Sequence, residues 1–99
     1  MRSQAVSTTE LTRAEAYFSG QVQGVGFRYS TRRLAQDYQV TGFVKNLADG
    51  RVQVIVEGTA AECKRFIEAL ESEVSQFVRH VERRTGAVTG EFQTFEIRR

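Results

Sequence analysis

Cysteine and histidine each occur once in this 99-residue chain, proline does not occur at all, and no apolar run approaches the ~18 residues of a membrane span. A lone cysteine, Cys63, excludes an internal disulfide framework and a cysteine-rich zinc site. It leaves a reducing cytosol as the default compartment. A lone His80 among Arg79, Arg83 and Arg84 reads as a surface imidazole rather than a catalytic one. Without proline or low-complexity stretches, nothing marks a linker that would divide the chain. The first thirteen residues are polar and lack the apolar core of a signal peptide. The expectation is a cytoplasmic protein with no membrane segment. Residues 1–13 form a flexible tail, with at most a short helical turn around Thr9–Arg13, and residues 14–99 form one domain.

What remains is ordinary for a globular domain: 40% hydrophobic, 26% charged, formal charge +2 and pI near 9.0. That mild basicity favours anionic ligands slightly and does not by itself imply nucleic acid. Ala14 to Val22 alternates, with Ala16, Phe18, Gly20 and Val22 on one face, which predicts a strand. Phe27, Thr31, Leu34, Ala35 and Tyr38 then recur at helical spacing, giving an amphipathic helix of about three turns. Thr41–Leu47 and Arg51–Glu57 read as strands joined around Asp49-Gly50, a hairpin signal with a loop of two or four residues. Gly58 reads as the break after the second of these strands. Thr59-Ala60-Ala61-Glu62 forms a capping box, with Thr59 as N-cap and Glu62 reaching back. The helix it opens runs to about Ser72, with Cys63, Phe66, Ile67 and Leu70 inside. Val74–Arg84 and Phe92–Arg98 are weaker strand candidates, the latter with Phe95 and Ile97 inward. Strand-helix-strand twice predicts an α+β, ferredoxin-like βαββαβ sandwich: an antiparallel sheet with two helices on one face, and a short extra terminal strand.

Chemistry is narrowed further by what is missing. Cys63 falls on a helix's inner stripe and reads as a small buried hydrophobe. No zinc-ligand spacing and no calcium loop occurs. A reaction that needs no protein nucleophile, metal or general acid fits best. Hydrolysis of an acyl phosphate is one, because its carboxylate leaving group needs no protonation. The remaining tasks are to hold a phosphoryl group, stabilise its oxygens and orient water.

Two segments offer parts for those tasks. Gly20-Gln21-Val22-Gln23-Gly24-Val25-Gly26-Phe27-Arg28 places a glycine loop between a strand and a helix. Such a loop exposes N–H groups, the helix start adds partial positive charge, and Arg28 adds a fork-shaped cation. Its spacing is neither the dinucleotide fingerprint nor the Walker pattern. A tight turn that needs glycine for its backbone angles is the competing reading. The second part is Asn46, an asparagine ending an apolar strand. Its amide can accept from water and donate to a phosphate oxygen, or it can simply support the hairpin turn.

Val22-Gln23-Gly24-Val25-Gly26-Phe27-Arg28 and Gly42-Phe43-Val44-Lys45-Asn46-Leu47-Ala48-Asp49-Gly50-Arg51-Val52 together resemble the two signature regions of the acylphosphatases. The resemblance covers roughly residues 14–98. It implies the ferredoxin-like fold and hydrolysis of a small-molecule acyl phosphate to carboxylate and inorganic phosphate, with no cofactor and no metal. It implies that Arg28 binds the phosphoryl group. It also implies that the backbone N–H groups of Gln23, Gly24, Val25, Gly26, Phe27 and Arg28 complete the cradle, and that Asn46 positions the nucleophilic water. A monomer without nucleic-acid partners is expected. Three alternatives stay open: an RNA-binding sandwich, a non-catalytic regulatory domain, and a piece of a larger carbamoyl-phosphate-handling maturation protein. The first lacks the strand motif with interleaved aromatics, since Tyr17 and Phe18 alternate faces. Against the last, Met1 and the close of the chain after its last strand favour a free-standing protein.

Overall fold

The computed structural model describes residues 10–99. Residues 1–9 of the expected tail lie outside the described residues. Five strands and two longer helices follow in the order β1 (Leu11–Gly20), α1 (Phe27–Ala35), β2 (Thr41–Asn46), β3 (Val52–Thr59), α2 (Ala60–Glu73), β4 (Val78–Gly86) and β5 (Phe95–Arg98). A 3-10 turn, Ser75–Phe77, precedes β4, so the expected strand from Val74 starts four residues later. The sheet order is β4-β1-β3-β2-β5.

Both helices cover one face of the sheet. That face carries Ala16 and Phe18 of β1, Val44 of β2 and Val52, Val54 and Val56 of β3, all completely buried. The alternation that predicted these strands is therefore the alternation of core and open face. From the helices come Phe27, Thr31 and Ala35 of α1 and Cys63, Phe66, Ile67 and Leu70 of α2. Phe66 sits at the centre, edge-on to Tyr38 at 5.9 Å and to Phe95 at 5.7 Å. Phe95 and Ile97 pack against this core, as the sequence predicts. His80 is exposed. Among the described residues no helix is long and apolar enough to cross a membrane.

Several expectations need correction. β1 begins at Leu11, so residues 11–13 are extended and belong to the sheet, not to a tail or a helical turn. They are held there by pairing Leu11 with Thr59 and Thr12 with Gly58. The same pairing carries β3 through Gly58, which does not break it. The sheet is mixed rather than purely antiparallel, because β5 runs parallel to β2. The hairpin loop is odd rather than even: Asn46 faces Val52, and Leu47 N–H donates to Arg51 O at 2.8 Å. Gly50, at φ 97°, supplies the left-handed residue of a three-residue loop. Finally, Thr59 Oγ1 does cap Glu62 N–H at 3.2 Å, but the Glu62 carboxylate accepts from Gln39 N–H at 2.8 Å instead of reaching back.

The sheet's open face is partly covered. The connection between β4 and β5 crosses it and is pinned to Glu57, a carboxylate only 4% exposed. Glu57 accepts from Thr89 N–H (2.8 Å), Thr89 Oγ1 (2.9 Å), Gly90 N–H (3.0 Å) and Arg13 Nη1 (3.1 Å). Phe92 of this connection stacks edge-on with Phe43 at 5.8 Å.

Candidate functional site

The glycine loop and the end of β2 meet at one end of the sheet. A cleft of about 90 Å³ opens there, lined by Val22, Gly24, Gly26, Phe27, Arg28, Tyr29 and Asn46. Of the residues singled out in the sequence, Gly24, Gly26, Phe27, Arg28 and Asn46 come together. Gln23 and Val25 are not among the lining residues, and Val25 is exposed. Val22, which opens the quoted segment, and Tyr29 join them; neither was among the candidate site residues.

The loop has its shape for local reasons. Gly24 and Gly26 both sit at φ 80°, where a side chain would be strained. A Cβ at either would meet no atom within 4 Å, so it is the backbone angle that calls for glycine. The turn reading and the anion reading of these glycines are thus compatible. Gly26 is also the residue that opens α1, with no side-chain cap and no acidic residue in the first turn. The first intrahelical bond is Ser30 N–H to Gly26 O at 3.0 Å. The N–H groups ahead of it lack intrahelical acceptors and carry the positive end of the helix dipole.

Gln23 has a part that its sequence pattern does not reveal. Its Nε2 donates to Leu47 O at 2.8 Å and to Arg51 O at 3.0 Å. One side chain thereby ties the glycine loop to the two carbonyls that flank the β2–β3 turn, and so to Asn46. Arg28 is half-exposed, and its Nη1 donates to the backbone carbonyl of Arg98 at 3.4 Å. A bond that long is weak. It keeps the guanidinium at the cleft while leaving it free to exchange partners.

Asn46 shares its face of β2 with Val44, so its amide points into the helix side of the sheet, at the cleft. Its Oδ1 is buried and has no hydrogen-bond partner among the described residues. An unpaired buried carbonyl oxygen costs about 1–3 kcal/mol. Such a group in a cleft is a site awaiting a donor.

Outside the cleft, neither a reactive thiol nor a metal site is found among the described residues. Burial, with the charges of Glu57 and Glu62, pushes the Cys63 thiol up to about 11, which makes it a poor nucleophile. Among the described residues no three His, Cys, Asp or Glu side chains converge as a metal site would require.

Fold and cleft together define a small ferredoxin-like domain with an anion-suited glycine loop at one end of its sheet. Comparison with known proteins takes this further. The family model described as Acylphosphatase matches residues 14–97. An acylphosphatase of Paenarthrobacter aurescens is 41% identical over 91 residues, which cover 91% of this chain and 97% of that protein. One from Archaeoglobus fulgidus is 50% identical over 58 residues, 59% of this chain and 65% of that one. The crystal structure of acylphosphatase from Bacillus subtilis superposes with a TM-score of 0.78 at 28% identity, over 89% of this chain and 99% of its own. The chain belongs to the acylphosphatase family and is an enzyme of acyl phosphate hydrolysis.

Proposed function

We propose that the cleft holds the phosphoryl group of a small-molecule acyl phosphate, with Arg28 and the N–H groups of residues 23–28 as donors and Asn46 as the holder of the attacking water. Water attacks phosphorus in line. A bond forms between its oxygen and phosphorus while the bond to the acyl oxygen breaks, and that oxygen leaves with the electron pair as carboxylate. The lining residues include no carboxylate, imidazole or amine. The water proton therefore passes to a phosphoryl oxygen, and the products are carboxylate and inorganic phosphate. Arg28 and the helix start stabilise charge on the equatorial oxygens, where fixed donors are most effective.

The observation that carries this reading is the unpaired Oδ1 of Asn46 beside the open loop. The working unit in this reading is a monomer. A lone, buried cysteine is in keeping with a reducing, cytoplasmic setting.

The test is release of inorganic phosphate from benzoyl or acetyl phosphate by the purified protein. Arg28→Ala is expected to lower kcat/KM by roughly 10³. No release by the natural chain, or full activity of Arg28→Ala, overturns the assignment.

A further inference from the structure

We propose that Arg32, with Tyr29, forms a second anion subsite beside the phosphoryl cleft, and that the preferred substrates are acyl phosphates carrying a further negative charge on the acyl part. This rests on the reading of the cleft given above. Tyr29 lines that cleft and also lines a neighbouring one of about 370 Å³, shared with Ser30, Arg32, Arg33 and Gln36. The two hollows therefore meet at one residue, Tyr29, which is 66% exposed despite its size. A large exposed aromatic on the rim of a cleft offers apolar area to whatever enters it.

Arg28 and Arg32 stand four residues apart on α1. Residues at that spacing share a helix face, with Cβ atoms about 5–6 Å apart. Arg32 differs from its neighbour in its commitments. Arg33 Nη2 is paired with Glu73 Oε2 at 2.7 Å. Among the described residues Arg32 pairs with no carboxylate, and its guanidinium lies over the Tyr29 ring, 5.6 Å from the centroid. The ring holds the cation at the rim without neutralising it. A phosphoryl group at Arg28 would leave a short acyl chain lying across Tyr29, with its far end at Arg32. A distal carboxylate or phosphate satisfies that end; an alkyl end does not.

Succinyl phosphate and butyryl phosphate have the same four-carbon length and differ in the distal charge. The ratio of their kcat/KM values, measured at low ionic strength because exposed charges are screened, reads the subsite directly. The natural chain is expected to favour succinyl phosphate. Arg32→Gln should lower the ratio about fivefold, the effect of an exposed ion pair, and Arg32→Lys should retain part of it. Arg65→Gln removes the same charge from an exposed position on α2 that lines neither hollow, and should leave the ratio in place. An acyl phosphate with a distal phosphate monoester, run in parallel, tells which anion the subsite prefers. An unaltered ratio in Arg32→Gln, or an equal fall in Arg65→Gln, overturns the subsite while butyryl phosphate turnover upholds the cleft. No turnover of any of these substrates overturns the cleft reading and the subsite with it.

Discussion

Asn46 combines two properties that rarely coincide in a side chain kept for packing. It ends a strand whose other inward positions are apolar, and its oxygen is buried without a donor among the described residues. A residue held there for stability would have found a partner, because the penalty is comparable to a whole hydrogen bond. Asn46→Ala removes the orphaned oxygen together with the proposed water contact. It is expected to lower kcat about 100-fold with KM little changed, since orienting water matters mainly in the transition state. Stability should hold or rise by up to about 1 kcal/mol, as happens when function has been kept at the expense of the fold. Steady-state kinetics and urea unfolding on one preparation check both halves. A variant that is destabilised yet fully active would make Asn46 a structural residue.

At the scale of elements, the cleft depends on three pieces of chain holding register: the glycine loop, the start of α1 and the β2–β3 turn. Gln23 is the strut between the first and the last. Its amide donates twice, which glutamate cannot do. Gln23→Ala and Gln23→Glu are therefore both expected to cost about tenfold in kcat/KM, because small displacements of fixed donors are expensive. Unimpaired turnover by Gln23→Glu would show that the strut is dispensable. This strut also marks the limit of what could be read from the sequence. α1, α2 and the central strands were legible because their periods are local and the core they face is apolar. Arg28 and Asn46 were singled out from their motifs, and the fold brings them together. Gln23 was included only for its backbone, since its acceptors lie 24 and 28 residues away. Tyr29 belongs to neither quoted segment, and only the fold places it at the cleft. The mixed sheet escaped for the same reason: the direction in which β5 docks on β2 depends on how the β4–β5 connection crosses the sheet. Leu11–Arg13 lack a convincing alternation, and partners on β3 make them a strand.

The whole molecule is closed by Glu57. This carboxylate joins β3 to the crossing connection and to Arg13 of β1, so a single group spans the sheet's open face. Burial works to raise its pKa, but the Thr89 and Gly90 N–H groups, the Thr89 hydroxyl and Arg13 outweigh it, and the carboxyl titrates below the ordinary glutamate value. The sign follows: its contribution to stability is complete above the ordinary value of about 4.3 and is lost as pH falls through the lowered one. Glu57→Gln should cost about 2–4 kcal/mol near neutrality and progressively less in acid. Guanidinium unfolding at pH 7 and at pH 3 measures the difference, and a penalty equal at both would contradict the clamp. The Arg28–Arg98 hydrogen bond gives the same architecture a temporal side. Protein chains are made from the N-terminus forward at about 5–20 residues per second. The guanidinium at residue 28 is made early, whereas the carbonyl it meets through one weak hydrogen bond belongs to a strand seventy residues later. A nascent chain can thus present the loop before Arg28 has this partner, and full activity during synthesis should appear last, with β5.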